Sequence, residues 1–246
     1  MTDMSQLTAD LAAISRALRE HPALCRVLID PSAAPAQKAG LVAQVFGALG
    51  EPARQQLLEG AGQSWKSRKQ FLAWVQTAVV TAAWDWAKGL GVLDRSIDEV
   101  FAFGQLVARD HQVRAAVTDS RVPVERRQEL VGTLGAAMGS PALAVAMAAV
   151  AMSAQTGTID QAVRDALEAG CDSAGGRLAI VTVARPMPPD QFKRLNAALE
   201  RRLGAKIIIQ EVVDATVLGG VRVECGAEVI EATTTSRLAA ARKDFA

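Results

Sequence analysis

Metal ligation and nucleophilic or acid–base catalysis need histidines, cysteines and carboxylates brought together. The sequence holds two histidines, His21 and His111, and three cysteines, Cys25, Cys171 and Cys225. The histidines occupy matching places in a repeated block, each directly after an acid (Glu20, Asp110), so duplication accounts for both without a metal or a catalytic dyad. The cysteines are scattered and have no C-x-x-C spacing, and each reads as a small buried hydrophobe. No G-x-S-x-G elbow occurs. Two glycine pairs are candidates for cradling phosphate. Gly175-Gly176 lacks the Lys-Ser/Thr pair of a phosphate loop and stands before a strand-like run, where such a loop precedes a helix. Gly219-Gly220 has β-branched runs on both sides, whereas a dinucleotide fingerprint needs G-x-G-x-x-G at a strand-to-helix turn. Glycine inside a strand marks a bulge or a close backbone approach. Trp65-Lys-Ser-Arg-Lys69 is basic and aromatic, as a nucleic-acid platform would be, but no second basic stripe joins it. A solvated helix start above a tryptophan cluster explains it. The sequence therefore predicts no catalytic residue, metal, cofactor or nucleic-acid partner.

Composition points the same way. The chain has 246 residues, half of them apolar, with 4% aromatics and no tyrosine. Such a chain buries a sizeable core, and its abundant alanine favours helices packed closely through small side chains. With 27 basic and 26 acidic residues the net charge is +1, which gives no whole-protein field for nucleic acid or anionic lipid. Three unpaired cysteines fit a reducing compartment. The start, MTDMSQLTADLAA, lacks the basic n-region of a signal peptide. The longest apolar run, Ala142 to Met152, is eleven residues, where a membrane-spanning helix needs about 20.

The elements that position these residues begin with a repeat. At a shift of 90, Leu7 falls on Ile97, Leu11 on Phe101 and His21 on His111; further on, Asp30 answers Asp119 at a shift of 89. This reads as one duplicated helical subdomain. Leu7, Leu11, Ile14 and Leu18 follow a helical stripe. Pro35, Pro123 and Ser140-Pro141 open further helices. Ser64 is expected to cap a long helix that holds all the tryptophans (65, 74, 84, 86) and stops at Gly89 and Gly91. Ser96-Ile-Asp-Glu99 and Thr158-Ile-Asp-Gln161 read as capping boxes, and Gly170 as a helix end. Residues 172–177, DSAGGR, form a joint. Beyond it come strand-like runs at 178–184, 206–213, 217–224 and 228–230, a helix from Pro188-Pro189 to Gly204 with Phe192, Leu195, Leu199 and Leu203 on one face, and a final helix from about Ala232 to Phe245. The fold class is mainly α: a duplicated helical-bundle N-terminal region followed by a small C-terminal α/β domain.

The tail carries a resemblance. Asp214-Ala-Thr-Val-Leu-Gly-Gly-Val-Arg-Val, then Gly226-Ala-Glu-Val-Ile-Glu-Ala-Thr, then Ser236-Arg237-Leu238, closely resembles the C-terminal signature of the δ subunits of F-type ATP synthases, whose mitochondrial member is the oligomycin-sensitivity-conferring protein. The signature residues are Asp214, Gly219, Gly220, Gly226 and Arg237. Ala82-Ala-Trp-Asp-Trp-Ala87 with Gly91-Val-Leu-Asp-Arg95 resembles the family's first helix and turn. Ala215, Ala227, Ala232 and Thr235 depart from the usual Pro, Asp, Gly and Arg. The likeness covers about residues 78–246, and the extra first 77 resemble the long form associated with actinobacteria. It implies three parts: an extra helical repeat (1–77), an α-subunit-binding bundle (78–171) and a stalk-binding α/β domain (178–246). It further implies a non-catalytic stator subunit on the cytoplasmic face of the bacterial membrane. That subunit would join N-terminal helices of F1 α subunits to the b subunit of the peripheral stalk, the membrane span being supplied by another polypeptide. A helical adaptor of some other complex is the alternative. Helix-in-groove recognition needs an apolar trough with small residues. Val79, Ala82, Ala83 and Trp86 on one helix, with Leu143, Met147 and Val150 on the Ala-rich one, are the candidates to line it, or else to pack together as core. The first repeat offers Leu7, Leu11, Ile14 and Leu18 for a second α terminus.

Overall fold

The computed structural model describes residues 2–217 and 219–233. Among them, ten helices come first: α1 (Thr2–Glu20), α2 (Pro22–Ile29), α3 (Pro35–Phe46), α4 (Glu51–Ala61), α5 (Arg68–Gly89), α6 (Leu93–Arg109), α7 (His111–Thr118), α8 (Val124–Leu134), α9 (Ser140–Thr156) and α10 (Ile159–Ser173). They are followed by β1 (Arg177–Val183), α11 (Pro189–Leu203), β2 (Ile207–Val213), β3 (Gly220–Cys225) and β4 (Glu228–Thr233). The chain divides into two compact units, Met1–Gly170 and Cys171–Ala246. The fold is mainly α with a small α/β unit, as the sequence predicts.

Proline stands in the first turn of α2, α3, α4, α9 and α11, where its missing N–H costs nothing. Three expected helix limits move. The cap of α5 is Ser67, whose hydroxyl accepts the Gln70 N–H at 3.2 Å. Ser64 is displaced because residue 65 folds back: the Trp65 indole donates to the Gly60 carbonyl at 2.7 Å and packs on Phe71 and Trp74. α6 starts at Leu93, a turn before the expected box. Ser96 lies inside it, 1% exposed, and Glu99 instead binds Arg95 and accepts the Gly139 N–H at 2.8 Å. α10 runs through Gly170 to Ser173. Gly170 serves packing there, since a Cβ would lie 2.8 Å from Cε2 of Trp84. At its start, Thr158 accepts the Gln161 N–H at 3.3 Å, but the Gln161 side chain turns to Asp165, so half of that capping box forms.

α5 is the spine of the helical unit and packs along both α1 and α9. Its Trp84 is 1% exposed and donates to the Ala166 carbonyl at 2.9 Å. Trp65, Phe71 and Trp74 cluster with ring centroids 5.4 to 6.0 Å apart. The boundary placed after residue 77 falls in the middle of α5, which closes the first repeat and packs against α1 of that repeat and α9 of the second.

The duplication is visible in hydrogen bonds. Asp10 accepts the N–H of Gly50, the residue capping α4, at 2.7 Å; Glu99 accepts the N–H of Gly139, the residue capping α9, at 2.8 Å. Both partners are offset by 89 residues. At the same offset, Asp30 and Asp119 each accept the N–H two residues on, at 2.8 and 2.9 Å. Two buried cations also correspond: Lys38 donates to Ala61 O at 2.7 Å and Arg127 to Val117 O at 3.3 Å. α1–α5 thus correspond to α6–α10.

In the second unit the strand order is β2-β1-β3-β4, with β1 and β2 parallel and the other pairings antiparallel. Ala179, Val181 and Val183 of β1, Ile207 of β2, and Val223 and Cys225 of β3 form one buried face, on which α11 lays Leu195, Leu199 and Leu203. Gly219 and Gly220 lead into β3 with φ of 146° and 84°, conformations that side-chain-bearing residues avoid. Backbone conformation therefore demands glycine at both positions. Ala232 and Thr233 belong to β4; the rest of the expected terminal helix lies outside the described residues, as does Arg237.

Candidate functional site

α1, α5, α8 and α9 enclose a groove of about 410 Å³. Val79 and Trp86, two turns apart on α5, contribute its floor. α1 supplies Ala9, Ala12 and Ala13, and α9 supplies Ala144, Met147 and Ala148. Each set has i, i+3, i+4 spacing, which puts its three side chains on one helix face. Small walls over an apolar floor let another helix approach closely.

One end of the groove is polar. Arg19 donates to Ser15 Oγ at 2.8 Å and to Glu125 of α8 at 3.2 Å, and Gln76 of α5 also donates to Ser15 Oγ. Gln128 closes the end by donating to the Met147 carbonyl at 2.9 Å. Burial lowers the Arg19 pKa, and Glu125 offsets part of that effect. For Glu125, burial pushes the carboxyl up, while its own backbone N–H and the Arg19 guanidinium outweigh it and hold the pKa below the usual value. Arg16 is exposed beside this network. The groove thus presents cations at one end and the hydroxyls of Ser5 and Thr8 among its remaining lining.

Of the residues predicted to line a groove, Trp86 and Met147 do so half-buried, and Val79 does so from the core, 3% exposed. Ala82, Ala83 and Val150 are 4%, 0% and 0% exposed and belong to the core. Leu143 is half-buried and points toward Gly135, where its Cδ1 would sit 2.9 Å from an added Cβ. The miss has a cause: α9 is apolar almost all round, so periodicity does not choose its open face. Leu11, Ile14 and Leu18, offered for a second helix, are 2% exposed or less and form core; Leu7 is half-buried. The contribution of α1 was missed. Its only signal was Ala9, Ala12 and Ala13, on the side away from the leucine stripe.

Among the described residues, no group of three or more His, Cys, Asp or Glu is placed to hold a metal. His21 and His111 are exposed, and all three cysteines are buried. A second cavity, of about 580 Å³, is lined by Arg114, Arg127, Ser153 and Thr158 among others. Arg114 is paired with Asp160, and Arg127 repeats the inward role of Lys38. In the second unit, Asp214 accepts both N–H and O–H of Thr216, at 2.9 and 2.7 Å, which fixes the turn before Gly219. Gly226 opens the turn between β3 and β4 with φ of 58°. These signature residues shape the backbone.

Comparison with known proteins gives the chain a family. The profile of the family described as ATP synthase delta (OSCP) subunit matches residues 79–245. A protein named ATP synthase subunit delta from Streptomyces avermitilis is 34% identical over 99% of this chain and 90% of its own length. Proteins of the same name from Parafrankia sp. and Salinispora tropica are 30% and 31% identical over 98% and 96% of this chain, and 87% of their own lengths. These relatives extend over the first repeat as well as the profile-matched part. Among solved structures, a chain of the Toxoplasma gondii mitochondrial ATP synthase hexamer superposes with a TM-score of 0.40 at 15% identity, over 68% of this chain and 94% of that one. By the profile match and the full-length relatives, this chain belongs to the ATP synthase delta (OSCP) subunit family.

Proposed function

We infer that this chain is the δ-type stator subunit of an F-type ATP synthase: a non-catalytic part that holds the F1 α/β ring against the peripheral stalk, so that rotor torque drives ATP synthesis. Family membership supplies the complex, and the groove between α1, α5 and α9 carries the reading of how the ring is held. In it, an amphipathic N-terminal helix of an α subunit lays its apolar face over Val79, Trp86 and Met147. The C-terminal α/β unit takes the b subunit of the stalk. Among the described residues no helix is long and apolar enough to cross a membrane, so attachment to the cytoplasmic face of the membrane goes through those partners.

Titrating a synthetic α N-terminal helix into the full chain tests the groove. Ala12 is exposed on the groove wall, so Ala12→Trp fills the groove without entering the core. We expect at least a tenfold loss of affinity with an unchanged melting temperature. Unchanged affinity sinks the groove assignment. Ala83, buried to 0% exposure, is unsuited to this test because a larger side chain there would disrupt packing.

A further inference from the structure

The outer face of α11 has no use in the fold described so far. The helix spends its apolar side on the sheet through Leu195, Leu199 and Leu203. On the other side Lys193, Arg194, Ala197, Ala198, Arg201 and Arg202 are all exposed. At 100° per residue, Arg194 and Arg201 fall on one line about 10 Å apart. Lys193 and Arg202 flank that line, and the two alanines form a low saddle between the cation pairs. None of the four cations makes an ion pair among the described residues. Among the described residues their only hydrogen bonds are those of the Arg194 and Arg201 Nε atoms with carbonyls of their own helix, at 3.3 and 3.2 Å, which do not engage the guanidinium tips. Of the nearby acids, Glu200 is turned inward, accepting the Ile207 N–H at 3.2 Å, and Asp190, exposed in the first turn four residues before Arg194, makes no ion pair with these cations among the described residues. Cations in a last turn offset the helix dipole, which accounts for Arg201 and Arg202. Lys193 and Arg194 lie in the first half of α11 and gain nothing from it.

We propose that this face seats an acidic helix of the stalk, with carboxylates seven residues apart that meet the Arg194 and Arg201 positions while its backbone passes over Ala197 and Ala198. The proposal rests on reading the C-terminal unit as the stalk-binding half. The spacing is that of a helix: seven residues return to the same face, and small residues at the crossing permit close axes. A lipid surface suits the face poorly, because nothing but alanine methyls lies between the cations and the apolar side is committed to the sheet, leaving no side chain to insert.

The test uses the full chain with the soluble part of its own b subunit, and the α N-terminal helix as a second probe. Reversing Lys193, Arg194, Arg201 and Arg202 to Glu should weaken b binding by roughly 100-fold at low salt, and Arg201→Glu with Arg202→Glu alone by about tenfold. The α-helix affinity should stay unchanged, and the melting temperature should fall by only a few degrees, through the lost dipole compensation at Arg201 and Arg202. Added salt should weaken the native complex and spare what remains of the reversed one. Lysines in place of two stalk carboxylates seven apart should restore binding to the reversed chain. If the native chain binds b tightly and the fourfold reversal changes nothing, the α11 seat is wrong while the stalk reading stands. If the native chain does not bind b, both fail. Loss of binding to phosphatidylglycerol vesicles, with b binding untouched, would assign the face to lipid and overturn the proposal.

Discussion

Gly60 lies where α4 meets the tryptophan cluster, and replacing it by alanine sets two known effects against each other. Alanine within a helix is favoured over glycine by about 1 kcal/mol. Yet a Cβ on Gly60 would fall 2.1 Å from Cζ3 and 2.3 Å from Cη2 of Trp74. The ring cannot simply swing away, since Phe71 stacks on it at 6.0 Å with 9° between planes and Trp65 packs at 5.7 Å. Overpacking of this kind costs about 1–3 kcal/mol, and with so short an approach the upper end applies. The net expectation for Gly60→Ala is a loss of about 1–2 kcal/mol. At this chain length that is a fall in Tm of roughly 2–8 °C. Gly40 is the reference: it is helical and exposed with nothing within 4 Å of its virtual Cβ, so Gly40→Ala should gain about 0.5–1 kcal/mol. Thermal melting followed at the helical circular-dichroism signal reads both. Trp74→Phe removes the two closest atoms, so Gly60→Ala should cost less in that background, and the coupling in the double-mutant cycle isolates the contact. A Gly60→Ala chain as stable as the parent, or a cycle without coupling, would refute the account of how α5 is seated on α4. That seating matters because the same helix carries Val79 and Trp86 further on.

Other expectations concern charge and backbone. Arg19→Ala strands Glu125 and unties α1 from α8, for an expected loss of about 1–2 kcal/mol near neutral pH. The folded pKa of Glu125 lies below its ordinary 4.5, so its stabilising share is present above that value and is lost as pH falls through the lowered one; the gap between parent and Arg19→Ala in denaturant titrations should close below pH 4.5. Asp119, held by the Arg121 side chain and N–H, should titrate at about 2 by carboxyl NMR, and move toward 3.8 in Arg121→Ala. Gly220→Val forces a branched side chain into φ of 84°, at a cost of about 1–3 kcal/mol. It should impair the C-terminal unit and stalk attachment while ATP hydrolysis by detached F1 stays intact, and a loss of that hydrolysis would count against the non-catalytic reading.

Much of the fold was legible because its signals are local. β-branched runs gave the four strands, and Gly204 marked the end of α11, where it sits at φ of 64°. What misled was also local. Ser96-x-x-Glu99 satisfies the capping pattern, but Ser96 is buried and Glu99 reaches 40 residues along the chain to Gly139. Gly170 resembles a helix stop and is a landing place for Trp84. The groove was half legible. Trp86 and Val79 stand out on α5, whereas the i, i+3, i+4 alanines of α1 do not stand out in an alanine-rich chain, and only tertiary packing shows that α1 lies beside α9. The repeat could be aligned from sequence, but alignment does not reveal that one helix serves both copies.

That shared helix has a mechanical meaning. α5 runs 22 residues without a break, a rod of about 33 Å. Two repeats joined by a loop would pivot, and a load applied to one would be absorbed as rotation at the joint. Joined through a rod that packs on α1 of one repeat and α9 of the other, they must turn together, since bending the junction would mean breaking successive hydrogen bonds inside a helix. A strut of low compliance between its points of attachment is what a part under steady twisting load requires.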